Sequence, residues 1–217
     1  MESQITDKGM ILMSQDDVLL SELQKTITDL EIELKKKNDE VNYLNREINS
    51  LKDMMRNESF KDDLTGLYNK IAIESILHYK KNRADRSKKP FTILLIDIDR
   101  INQINEQHGV FAGDMVLRDF ADNLMRLLRS EDAIARWSED KFISILSDCY
   151  YFDAEVVAKK IKFFIKEWEV KLDNTILDYW VNIGISQYNM NETLDSMLDR
   201  AEVNLKSEKD KANLFRG

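Results

Sequence analysis

From Leu20 onward, apolar residues recur at alternating spacings of three and four. One set is Leu20, Ile27, Leu34, Val41, Ile48 and Met55; the other is Leu23, Leu30, Lys37, Leu44 and Leu51, with Lys37 the one polar interruption. No Gly or Pro falls between Ser14 and Glu58, and Glu, Lys, Asn, Asp and Gln fill the outer positions. A strict seven-residue repeat makes a narrow apolar seam. It predicts a coiled-coil helix over 18–58, whereas a helix packed on its own domain carries a wider apolar face. β-Branched residues in the first set and Leu in the second favour a parallel homodimer, and Lys37 costs stability while fixing register. Residues 1–17 read as a flexible leader.

After Phe60 the period changes. Phe91–Asp97 (FTILLID), following Pro90, is a short apolar run and predicts a buried central strand. Leu117, Phe120, Ala121, Leu124 and Leu128 follow at helical spacing. Ala133–Trp137 and Phe142–Leu146 predict two strands joined tightly at Ser138–Lys141. Ala154, Val157, Ala158, Ile161, Phe164, Ile165 and Trp168 predict a helix capped by Asp153. Ile176–Ser186 is strand-like, and Asn191 is placed to cap a last helix bearing Leu194, Met197, Leu198, Ala201 and Leu205. This order predicts an α+β (α/β-like) domain over 59–217, with a mixed or antiparallel central sheet flanked by helices.

Composition narrows the function classes. With Gly 6 and Pro 1 in 217 residues, long helices and few elaborate loops are expected. Forty acidic against 32 basic residues give a net charge of −8, which argues against general electrostatic binding to nucleic acid or to an anionic membrane. The longest apolar stretch, about Phe91–Ile96, falls far short of the roughly 18 residues of a membrane helix. The acidic, polar start does not resemble a signal peptide. Cys149 stands alone, so no internal disulfide forms, and a cytoplasmic home is expected.

Asp97-Ile98-Asp99 ends the first predicted strand and leads towards a helix. Carboxylates at such an edge, beside free helix N–H groups, suit Mg²⁺ and phosphate, although the residues alone favour Asp99 as a cap of the following helix. Neither His78 nor His108 has a companion at metal-ligand spacing, so any metal would be oxygen-ligated Mg²⁺ or Mn²⁺. There is no Ser-His-Asp elbow, Walker loop or dinucleotide fingerprint.

Asp62-Asp63-Leu64-Thr65-Gly66-Leu67-Tyr68-Asn69-Lys70 resembles the D-x-L-T-G-L-x-N-R opening of the GGDEF (diguanylate cyclase) domain. Asp97-Ile98-Asp99 through Asn105, Gly109, Gly113, Asp114 and Leu117 resembles its D-x-D-x-F-K-x-x-N-D-x-x-G-H-x-x-G-D-x-x-L run, and Asp199, Ala201 and Lys206 its A-D-x-A-L-Y-x-A-K ending. The resemblance implies a nucleotidyl-cyclase-type sheet and a dimer in which each domain holds one GTP with Mg²⁺, the pair making cyclic di-GMP. It assigns Asp97, the Ile98 carbonyl and Asp140 to the metal, with Asp140 also catalytic if the enzyme is active. Asn105 and Asp114 are assigned to guanine, and Lys206 to phosphate.

The name-giving signature departs from the family. Arg136-Trp137-Ser138-Glu139-Asp140-Lys141-Phe142 stands where R-Y-G-G-D-E-F would be. Ser138 and Glu139 forfeit the positive φ and close approach that glycines allow. Glu139 would bring a carboxylate near a triphosphate, and Lys141 reverses an acid's charge. Asn102 replaces an expected lysine and Asp210 an expected arginine, in a chemistry that depends on cationic clamps. Arg129-Ser130-Glu131-Asp132 resembles the family's R-x-x-D site for cyclic di-GMP, at the family's offset. Read without the family, Arg129 complements a helix C-terminus and Asp132 begins a turn. Three readings stay open: a degenerate, dimeric cyclic di-GMP receptor or protein-interaction module, an atypical active cyclase, and a nucleotide-free dimerisation scaffold.

Overall fold

The computed structural model describes residues 15–56, 60–165, 167 and 169–216, and the chain divides into two units after Arg56. In the first, α1 (Gln15–Arg56) is one helix of 42 residues, about 63 Å long at 1.5 Å per residue. It begins three residues ahead of the expected residue 18; residues 1–14 of the expected leader, and positions 57 and 58, lie outside the described residues. Leu20, Leu23, Ile27, Leu30, Leu34, Val41 and Leu44 are each between 46% and 62% exposed, so the seam of a single α1 lies open to water. Lys37 reaches back to its own helix and pairs with Glu40 at 2.9 Å.

The second unit follows the order α2 (Lys70–Ser87), β1 (Phe91–Asp99), α3 (Ile101–His108), α4 (Val110–Leu127), β2 (Ala133–Arg136) and β3 (Lys141–Ser147). It continues with α5 (Tyr151–Ile165), β4 (Val170–Leu172), β5 (Thr175–Leu177), β6 (Trp180–Gln187) and α6 (Leu194–Arg216). The main sheet has the order β2-β3-β1-β6, all antiparallel. β1 is one of its two inner strands, as the FTILLID run predicts, and extends two residues further, to Asp99.

Both faces of the sheet are covered. Leu94, Ile96 and Ile98 of β1 join Ile104, Val116, Phe120, Leu124, Ile161 and Ile183 in one core cluster, on the side of α3, α4 and α5. Ile93 and Leu95 join Ile73, Leu77, Ile143, Ile145, Met197, Ala201 and Leu205 in the other, under α2 and α6.

Three local expectations are corrected. The stretch Ile176–Ser186 is not one strand, because Asp178 turns out to solvent and pairs with Arg100 at 3.0 Å. The residues before it form the small β4-β5 ribbon, and β6 alone joins the main sheet. Asp153 lies inside the first turn of α5; it is Gln187 Oε1 that accepts the Tyr151 N–H, at 2.7 Å. Asn191 is left-handed, at φ 65°, and sits ahead of the helix, while Thr193 caps α6 by accepting the Ser196 N–H at 3.2 Å. Trp168 lies outside the described residues.

The seat of α6 is set by Gly184 in β6. A Cβ there would stand 2.1 Å from the Ala201 carbonyl oxygen and 2.7 Å from Leu205 N, both backbone atoms of α6. The helix therefore lies on the strand at a distance only glycine permits. Gly184→Ala should lower stability by about 1–3 kcal/mol through overpacking, read as a lower urea midpoint at unchanged slope. An unchanged midpoint would mean that α6 is free to shift.

Candidate functional site

Strand alternation decides what meets α6 at the end of β1. Asp97 and Asp99 continue the face of Ile93 and Leu95, so they point towards α6. Lys141, opposite Asp97 in β3, shares that face, as does Asn182, opposite Asp97 in β6. Asp97 is buried, at 2% exposure, and its Oδ1 lies 2.6 Å from Lys209 Nζ on α6. Burial lifts the Asp97 carboxyl above the usual carboxylate range; Lys209 works against this, while Asp140 and Asp99 add to it. Asp99 Oδ2 accepts from Trp180 Nε1 at 2.8 Å and from Asn182 Nδ2 at 2.5 Å, and its Oδ1 is 4.0 Å from Lys209 Nζ. It therefore ties β1 to β6 and is no helix cap; Arg100 occupies the cap position of α3 and makes no side-chain capping bond. The Asp140 carbonyl accepts the Ile98 N–H at 3.0 Å, which brings the signature turn alongside the end of β1.

The turn itself is held from behind. Trp137 N and Ser138 N both donate to the Lys141 carbonyl, at 2.8 and 3.2 Å. Arg136 Nη2 donates to the Glu139 carbonyl at 2.8 Å, and its Nε to the Ser138 carbonyl at 3.2 Å. Ser138, Glu139 and Asp140 all keep ordinary negative φ, so this turn closes without the left-handed residues that glycines would supply. Lys141 Nζ pairs with both oxygens of Glu202 on α6, at 3.1 Å each. Lys206, expected at the phosphates, is exposed on α6, and Lys209 one turn later reaches the carboxylates instead. Sequence reading missed Lys209, although Ala201, Leu205 and Lys209 also stand at the A, L and K places of the family's A-D-x-A-L-Y-x-A-K ending.

A divalent ion needs several oxygen ligands converging at about 2.0–2.1 Å. The deepest carboxylate here already holds an ammonium. As arranged, Asp97, Ile98 and Asp140 do not fit the ion.

The other expected residues fall into two places. Asn105 in α3 lies against Gly113 in α4, where an added Cβ would come within 2.1 Å of Asn105 Oδ1; that oxygen is buried and unpartnered. Asp114 follows Gly113 and faces Arg118 at 3.8 Å. Arg129 and Asp132 line a cavity of about 410 Å³ with Cys149, Asp153, Val156 and Val157. Asp132 accepts Arg129 N at 3.2 Å through Oδ2 and Ser147 N at 3.0 Å through Oδ1, so it shapes its own loop. The Arg129 side chain is exposed and makes no hydrogen bond or ion pair among the described residues. Burial, then Asp153 and Asp132, push the Cys149 thiol up to about 11, which keeps it protonated and unreactive at neutral pH.

Comparison with known proteins identifies the fold. The family model described as "Diguanylate cyclase, GGDEF domain" matches residues 59–213. "Diguanylate cyclase A" of Treponema denticola is 32% identical over 125 residues, 57% of this chain and 34% of that protein. The chain thus spans about a third of the length of the curated relatives it matches first. Among solved structures, diguanylate cyclase SiaD in complex with its activator SiaC, from Pseudomonas aeruginosa, has a TM-score of 0.69 at 23% identity, covering 90% of this chain and 78% of that one. The GGDEF domain of DgcB from Caulobacter crescentus in complex with c-di-GMP also gives 0.69 at 23%, covering 72% and 93%. Both structures speak for the fold.

Asp62 ties the opening motif to the signature turn. Its Oδ1 accepts from Thr65 N at 2.9 Å and Thr65 Oγ1 at 2.7 Å, and Arg136 Nη1 lies 3.4 Å from both carboxylate oxygens. Burial would raise this carboxyl, but Thr65 and Arg136 outweigh it and hold it below the ordinary 3.8. A depressed carboxyl stabilises the fold above its unfolded pKa, and the contribution disappears as pH falls through the folded one. Asp62→Asn should therefore cost about 1–3 kcal/mol at neutral pH. Urea unfolding should show the gap to wild type narrowing below about pH 4; a gap that does not change with pH would refute the role.

Proposed function

The chain belongs to the diguanylate cyclase GGDEF family, and from that membership we propose that it is a dimeric receptor for cyclic di-GMP within cyclic di-GMP signalling, without cyclase activity. The observation that carries this reading is the contrast between two sites. At the end of β1 the buried Asp97 is answered by Lys209 of α6, and Lys141 of β3, on the same face, is paired with Glu202. Arg129 stands unpaired at the rim of a cavity that Asp132 shapes. A guanidinium suits a phosphate or a guanine acceptor edge, and carboxylates suit guanine N–H donors. Support for the dimer is the open heptad seam of α1, whose occupant in this reading is a second copy. A role in protein interaction draws support from α5, where Phe152, Val156 and Phe163 form one exposed apolar stripe at helical spacing. No helix among the described residues is long and apolar enough to cross a membrane, and cytoplasmic action is part of the proposal.

Calorimetric titration of the full chain with cyclic di-GMP tests the receptor reading, on protein first checked by sedimentation for twice the chain mass. Saturable heat is expected, with affinity reduced at least about tenfold in Arg129→Ala. No heat with wild type, or equal affinity in the variant, rejects the receptor and leaves the interaction module. A single-chain mass removes the dimer. Incubation with GTP and Mg²⁺, then Mn²⁺, should give no cyclic di-GMP by chromatography; product would restore the cyclase reading.

A further inference from the structure

The lysine at the end of β1 is held in place by the fold. α6 is seated on β6 at backbone distance by Gly184. It is pinned further along, where Glu208 pairs with Lys162 and its Oε2 accepts the Ile183 N–H at 2.7 Å. The next residue on that helix is Lys209. Its side chain is half-buried, at 35% exposure, and its ammonium lies 2.6 Å from the buried Asp97 Oδ1 and 4.0 Å from Asp99 Oδ1. Asp99 spends its other oxygen on Trp180 and Asn182. A second ammonium, that of Lys141, shares the same face of the sheet and is held there by Glu202.

We infer that Lys209 is a tethered cation standing where a divalent metal ion would bind, so that this chain's acidic site is closed to Mg²⁺ and Mn²⁺. A divalent ion at about 2.0–2.1 Å from Asp97 Oδ1 would have to share that oxygen with an ammonium already in contact with it. The two cations repel across a poorly solvated site. An ammonium supplies one positive charge and three N–H donors. That is enough to neutralise a buried carboxylate, but it offers no open coordination positions for phosphate oxygens or water. The inference concerns the α6 face of the sheet and not the Arg129 cavity, so either can fail without the other.

The test is paramagnetic resonance of Mn²⁺ titrated alone into the full-length protein, where binding removes the signal of the free aqueous ion. The wild type and Lys209→Arg should leave the ion free at concentrations that Lys209→Met binds, with affinity gained by about tenfold or more. Adding Asp97→Asn to Lys209→Met should abolish the gain, which separates the site from general attraction to an acidic surface. Thermal unfolding confirms that each variant is folded, and Lys209→Gln replaces Lys209→Met if the apolar end destabilises the domain. Wild-type binding that Asp97→Asn removes overturns the inference. So does a Lys209→Met or Lys209→Gln protein that is folded and still leaves Mn²⁺ free, because the metal would then be excluded by something other than Lys209.

Discussion

β1 is buried on both faces, so its side chains can only alternate between the two layers that cover it. That alternation is established by apolar residues, Leu94, Ile96 and Ile98 on one side and Ile93 and Leu95 on the other. Asp97 and Asp99 inherit the second side with no freedom to choose. Whatever α6 presents at that level becomes their partner. The chemistry of the acidic end is therefore set by two things distant in sequence: the register of a strand, and the seating of the last helix at Gly184.

Within that frame the charges answer one another. Lys141 reverses the sign expected in the signature, and it meets Glu202. Asp97 meets Lys209, and Lys162 meets Glu208. A buried carboxylate with no partner would cost several kcal/mol, roughly the difference between a domain that folds and one that does not. Lys209 makes the buried Asp97 tolerable without an added ion. Arg136 does the same for the turn, holding the carbonyls of Ser138 and Glu139 while its other edge meets Asp62.

Local pattern made some of this legible in the sequence. The heptads of α1, the FTILLID strand, the β2-β3 hairpin and the apolar faces of α4, α5 and α6 each carry their own period. α2 gave no expectation, because Lys and Arg dilute its four buried residues, Ala72, Ile73, Leu77 and Ala84. The cap errors at Asp153 and Asn191 came from short polar residues near a helix start; the caps in use are a Gln from β6 and a Thr two residues further on. Asp99 looked like a cap for the same reason, since nothing local shows that Trp180 and Asn182 lie across the sheet. The family ending fits in two registers: that of Asp199 and Ala201 selects Lys206, and that of Ala201 and Leu205 selects Lys209. Which lysine reaches the acids is decided only when α6 is laid on β6.

The motif residues now divide by whether the fold already uses them. Asp62 closes a turn, Asp99 bridges two strands, Asp97 holds Lys209, and Asp132 binds two backbone N–H groups. Each would be kept for structure in a chain that never met a nucleotide, so their presence is weak testimony for catalysis. Asn105 and Arg129, like Asp140 and Lys206, have no such side-chain bond among the described residues. Asn105 buries an unpartnered amide oxygen against Gly113, a cost the fold bears with no return of its own. Arg129 holds an exposed guanidinium beside a cavity and pairs with nothing among the described residues. Arguments for a ligand rest on these two side chains, and the acid at the end of β1, though it carries the family's most familiar pattern, contributes least to them.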